Sequence, residues 1–327
     1  MPDKRIMPSE AETSSINGAP SHDDIEKIDK SLESPQAVGD IDVAQARDKK
    51  FSTIKWLHFG AAVFFFIQTV AYCAAEANLS ITPTVNFATY CNEFIETCTG
   101  TFSTKPSQKL LAATNPIWLI PFFTALACFD HIVSFVFCLR YADFAKMWVF
   151  DIQSNPFRWI EYSISASVMA WAISILCGIS DVHLWFLIFF CHFVGILIGL
   201  FIELLPDDKA SGVEIQQEKG MSFQTMKKLL FALSCVSIFF PWLVMICYFF
   251  GSTANSSNGD GDALPNFVYA AFFGTLALFT TFGINTYLNK IEKKYDFATA
   301  EIIFISLSFT AKTFLAADVF GGLANSD

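Results

Sequence analysis

Charge is scarce in this chain. Only 16% of its 327 residues are Asp, Glu, Lys or Arg, where a soluble globular domain carries about 25%. A water-facing surface cannot be built around a core this apolar. No Cys-x-x-Cys or His-Glu-x-x-His spacing occurs, so the familiar metal-binding patterns are missing and no metal is expected. Nothing suggests an enzyme or a nucleic-acid-binding protein. No charged segment leading into a short apolar one stands at the amino terminus, so no cleaved signal peptide is expected. Basic residues are also missing from one set of connections: none lies in 180–183, in 251–265 or after 313.

What the chain does contain is oil in long runs. It is 53% hydrophobic, with a mean hydropathy of +0.44. Runs of roughly twenty apolar residues, enough to cross about 30 Å of hydrocarbon, predict seven membrane helices. They fall near 56–75, 112–138, 159–179, 184–205, 229–250, 266–288 and 298–323. Phe is abundant, at 37 residues, which suits lipid-facing and ligand-lining surfaces equally. The expected organisation is a disordered acidic cytoplasmic tail over 1–50, then a membrane domain over 51–327. The tail mixes acids with Ser, Pro and Gly and has no apolar periodicity, so it cannot offset its own ordering entropy.

Lys and Arg collect on one side. Arg47, Lys49, Lys50 and Lys55 precede the first span. Arg140, Lys146 and Arg158 lie between the second and third, Lys209, Lys219, Lys227 and Lys228 between the fourth and fifth, and Lys290, Lys293 and Lys294 between the sixth and seventh. Cytoplasmic loops carry this excess, so the amino terminus is expected inside and the carboxyl terminus outside the cell or in a lumen. Glycosylation sequons at Asn78 and Asn255 fall on the outer side. A G-protein-coupled receptor has the opposite orientation, which excludes that class. Cys91 and Cys98 share the long outer loop, where an oxidising compartment permits a disulfide; the other cysteines read as packing residues in the spans.

Few ionisable groups remain deep in the spans: Asp130, His131, Glu161, His192 and Lys312, with Glu203, Glu301 and Asp318 near span ends and His58 near the inner end of the first. Lys312, in "SFTAKTFLAADVF", is more than ten residues from either end of its helix. A charge there costs a few kcal/mol and so needs a partner or a task. Either it pairs with an acid to lock the helices, or its amine attacks an aldehyde to form a Schiff base. Glu161 is the expected partner, since both side chains lean toward the inner half of the membrane. Counting 1.5 Å per residue places Cα 312 about 20 Å deep and Cα 161 less than about 10 Å, so the two sit at unequal depths. Ser308, at i−4 from Lys312, and Ser165, at i+4 from Glu161, share their faces. His131 faces the same interior or bonds a neighbour, and His192 reads as structural.

The segments "FRWIEYSISASVM" (157–169) and "SLSFTAKTFLAADVF" (306–320), with Pro241-Trp242, "PNFVYA" (265–270) and "FGIN" (282–285), resemble the heliorhodopsin family over roughly residues 53–325. That resemblance implies an all-α membrane protein: a seven-helix, microbial-rhodopsin-like bundle of inverted orientation with a β-hairpin in the outer loop between the first two helices. It implies all-trans retinal on Lys312 with Glu161 as counterion. Arg158, Tyr162, Ser165 and Ser308 match the motif residues around the pair, with Trp242, Pro241 and Phe282 lining the pocket. His131 and Gln68, with Arg158, match the polar network. The family often has a histidine where this chain has Phe65, which weakens any mechanism using a histidine pair. The expected partners are retinal, lipid and a second copy in a homodimer. The function implied is light sensing or signalling; the alternative is light-driven or light-gated proton or ion transport, and a third class is a retinal-free transporter or scaffold.

Overall fold

A computed structural model of the chain describes residues 35–75, 81–90, 104–206, 221–257 and 264–324. It separates into two units, Met1–Lys49 and Lys50–Asp327. Seven helices are long and apolar enough to span a membrane: Asp42–Ala74, Pro116–Arg140, Pro156–Leu176, Val182–Leu204, Phe223–Ala254, Asn266–Ile291 and Phe297–Leu323. These match the seven apolar runs of the sequence within a few residues, except the first and fifth, which start earlier.

The first helix, α1, covers Pro35–Ala74, so the last part of the tail expected to lack structure is helical. "VAQARDKK" is made largely of good helix formers, and extending an existing helix needs no new nucleus. Residues 1–34 lie outside the described residues. Strands β1 (Thr84–Tyr90) and β2 (Thr104–Leu110) follow as the antiparallel hairpin, with Thr84 opposite Leu110 and Tyr90 opposite Thr104. Cys91, Cys98 and Asn78 are outside the described residues, as is the side chain of Asn255.

The second span is α2 (Leu119–Arg140), preceded by a 3₁₀ turn at Pro116–Trp118. A short helix, α3 (Ala142–Met147), and a π-helical turn at Trp148–Ile152 lead to the third span, α4 (Pro156–Leu176). Pro156 opens α4 with the φ that a first helical turn needs, and the Asn155 side chain accepts from the Arg158 N–H at 3.2 Å. The remaining spans are α5 (Val182–Leu204), α6 (Phe223–Ser257), α7 (Asn266–Thr286) and α8 (Phe297–Ala324). Span three is the central helix: 67% of its apolar window is buried, against 17% in span five. Its neighbour α5 comes in close at Gly199, where a Cβ would stand 2.1 Å from the Trp159 ring. Phe occurs both in the core and on the surface. Phe65, Phe123, Phe249 and Phe272 are buried, while Phe66 and Phe129 are more than half exposed on the outer surface of the bundle.

Asp181 caps α5 and also holds the hairpin. Its Oδ1 accepts from the His183 and Leu184 N–H groups and its Oδ2 from the Asn86 N–H at 3.1 Å, while the Thr84 N–H donates to the Ser180 carbonyl at 2.8 Å. Burial alone would raise the Asp181 carboxyl, but the N–H groups of Leu184, Asn86 and His183 outweigh it and hold it below the usual 3.8. A carboxylate lowered on folding stabilises above its unfolded value and loses that contribution as pH falls through its folded one. Hydrogen exchange at Thr84 and Asn86 should therefore stay protected down past pH 3.8 and loosen only in stronger acid. Asp181→Ala should loosen both amides at neutral pH.

Candidate functional site

Lys312 lies in the middle of α8, and both it and Glu161 on α4 are almost fully buried. The Lys312 Nζ donates to Glu161 Oε1 at 2.7 Å and stands 5.1 Å from the centre of the Tyr162 ring. The unequal depths counted along the sequence are closed by where α4 begins. Asn155, its N-cap, donates from Nδ2 to Glu301 at 2.7 Å, and Glu301 is already one turn into α8. The third span thus starts about a turn deeper than the seventh, and the lysine leans back toward its own N-terminus.

Around the pair, the Tyr162 hydroxyl donates to the Phe304 carbonyl at 2.9 Å, and Phe282 packs edge-on to the Tyr162 ring at 5.6 Å. Ser165 and Ser308 are buried, and among the described residues neither hydroxyl has a hydrogen-bond partner. Both serines, Tyr162, Phe282, Trp242 and Lys312 line one cavity of about 590 Å³. It reaches the surface between spans five and six, where Phe239 and Ile284 are more than half exposed. Pro241 does not line it; within α6 that proline withholds one backbone N–H from the helix ladder.

His192 keeps the backbone contact of a structural histidine, Nδ1 to the Ile188 carbonyl, and also lines this cavity. The expected polar network of His131, Gln68 and Arg158 separates. Gln68 donates to Tyr72 at 3.1 Å, and Arg158 pairs with Glu203 and Glu301. His131 Nδ1 meets His58 Nδ1 at 2.9 Å, with Asp130 3.7 Å from His131. No hydrogen bond among the described residues joins the three. A histidine pair exists after all, supplied by His58 instead of the position of Phe65, whose ring stacks on His131 at 5.7 Å. The signal was present: His58 is seven residues before Phe65, two turns along the same helix face. Arg158 is buried with its two glutamates and lies 4.2 Å from the Phe304 ring centre. The Asn155 N–H also donates to Glu203 at 3.0 Å.

From Lys312 toward the hairpin end the core is apolar, built on Phe123, Ile173, Phe249, Phe272 and Leu315. Toward the Arg158 end it is polar. Among the described residues no group of His, Cys, Asp and Glu has the arrangement of a metal site.

The groups present fit an aldehyde-bearing polyene: a buried amine beside a carboxylate, two unpartnered hydroxyls, and an elongated apolar cavity within the volume range of small-molecule sites. A light-driven proton pump, LR (Mac) from Leptosphaeria maculans, is similar in structure, with a TM-score of 0.48 at 15% identity over 85% of this chain and 96% of that one. At that level the likeness is no guide to function. No curated protein matches the sequence significantly. The heliorhodopsin family profile matches residues 54–324, nearly the whole span from the first helix to the last, and so the chain belongs to the heliorhodopsin family.

Proposed function

We propose that Lys312 is the attachment point of retinal in this protein and Glu161 the counterion, and that light absorbed there is used for sensing or signalling. Family membership makes the chain a retinal-binding, light-responsive membrane protein. The observation that carries the finer reading is the buried 2.7 Å contact of Lys312 with Glu161 at the head of the cavity. When bound as a protonated Schiff base, all-trans retinal supplies the visible absorption and the isomerisation.

The remaining steps belong to the protein. Glu161 holds a positive charge at the Lys312 nitrogen and loses its grip when that nitrogen moves. Ser165 and Ser308 offer hydroxyls on either side, each able to rotate between donor and acceptor roles. The apolar lining excludes water, which strengthens the charge pair. His58 and His131, each with a ring nitrogen able to take a proton, are the acceptors at hand, and Asp130 would support the charge they acquire. The seven spans place the protein in a membrane, and the Lys/Arg bias supports an amino terminus in the cytoplasm, putting the Arg158 end inside.

Transport needs acids in series across the membrane. On the hairpin side of Lys312, the described part of α8 offers only Asp318, beside an apolar core. Sensing is therefore the better-supported reading. Purified protein given all-trans retinal should form a visible band that hydroxylamine bleaches in light. Glu161→Gln should move that band to longer wavelength, because a neutral amide no longer stabilises the ground-state cation. An unshifted Glu161→Gln spectrum would remove Glu161 from the counterion role.

A further inference from the structure

Beyond the attachment groups, the cavity wall contains three side chains with an unpartnered buried nitrogen among the described residues, Trp159, His192 and Trp242, and the last two have rings in contact. His192, on span four, is fully buried, and its Nδ1 stands 3.0 Å from the Ile188 carbonyl. A carbonyl oxygen has no proton to give, so Nδ1 carries the hydrogen, and in the neutral ring Nε2 is a bare acceptor. Among the described residues that Nε2 has no partner. Trp242, on span five, is also buried, and its Nε1–H, which can only donate, has none among them either. The two ring centroids are 6.2 Å apart at 66°, and both residues line the cavity that Lys312 also lines. An unmatched donor and an unmatched acceptor thus sit on neighbouring rings in a mainly apolar wall, where the Ser234 and Thr280 hydroxyls are already committed to backbone carbonyls.

Each such atom left unpaired carries the desolvation penalty of a buried polar group, and one group satisfies both: a hydroxyl, whose oxygen accepts from Trp242 and whose proton goes to His192. A lone water there would find two protein partners, fewer than the roughly three a buried water typically has. A hydroxyl fixed to the ligand's own carbon frame loses less freedom on binding. Spans four and five pack on each other and spans six and seven on each other, while neither four nor five packs extensively on seven, so the hydroxyl is assigned to the end of the ligand away from the aldehyde.

We propose that His192 and Trp242 form a hydroxyl-recognition subsite, and that the preferred chromophore is a retinoid aldehyde hydroxylated on its ring. This inference rests on Lys312 as the attachment point. The opening between spans five and six, at Phe239 and Ile284, gives such a ligand a way in from the membrane.

The test is competition. The apoprotein is given an equal mixture of all-trans retinal and all-trans 3-hydroxyretinal, and the bound aldehydes are extracted as oximes and separated. The hydroxylated aldehyde should be taken up about tenfold over retinal, the ratio one such hydrogen bond supports. His192→Phe and Trp242→Phe should each bring the ratio close to one. His192→Gln keeps an acceptor and should retain much of the preference, which guards against a His192→Phe protein that fails to fold. Colour from both aldehydes with a ratio near one in the unaltered protein would overturn the subsite, leave Lys312 in place and assign the pair to a water. Colour from neither would overturn both readings together.

Discussion

Lys312→Ala protein should stay colourless with retinal while remaining folded. Lys312 is the only lysine among the described residues that line the cavity, and the hydroxyls of Ser165 and Ser308 in the same lining form no stable bond with an aldehyde. The same substitution leaves Glu161 buried without its 2.7 Å partner. A carboxylate stranded in this way costs several kcal/mol, so the variant should also lose thermal stability, and Lys312→Ala with Glu161→Gln should recover it without recovering colour. Visible spectra and melting curves separate the two effects. A coloured Lys312→Ala protein would end the assignment of that residue.

Arg158→Ala should have the largest effect on stability. The guanidinium is fully buried between Glu203 and Glu301 and is covered by the Phe304 and Trp159 rings. Removing the cation leaves two carboxylates facing each other in hydrocarbon. Breaking a buried pair costs about 3–5 kcal/mol, a fall in Tm on the order of 10 °C. Neutralising both acids in the same protein, as Glu203→Gln and Glu301→Gln, should restore part of the loss. If Arg158→Ala melted like the unaltered protein, the cluster would not be holding spans three, four and seven together.

The parts of this molecule legible in sequence were those whose physics acts over a short stretch. Seven spans follow from length and hydropathy, the start of α4 from Asn155 and Pro156, and the coming together of Lys312 and Glu161 from the cost of leaving either charge alone. What could not be read was relative depth. Counting along each helix set the two residues apart because nothing in either segment states how far into the bundle each helix begins. Asn155 decides that through its hydrogen bonds to Glu203 and Glu301. His58 was missed for another reason: attention went to the position of Phe65, whereas proximity to His131 depends on the helix face, which His58 and Phe65 share. In sequence alone His192 reads as structural, and its Nδ1 contact with the Ile188 carbonyl fits that reading. Only three-dimensional packing puts its second nitrogen in the wall of a cavity.

The anchoring of Asn155 to two other helices makes it a ruler set at the rim of the bundle. Any change that lets α4 slide along its axis by one residue alters the spacing between the Glu161 carboxylate and the Lys312 amine. On the proposed roles of those two residues, the absorption of the pigment would then be tuned in part by an amide at the rim of the bundle.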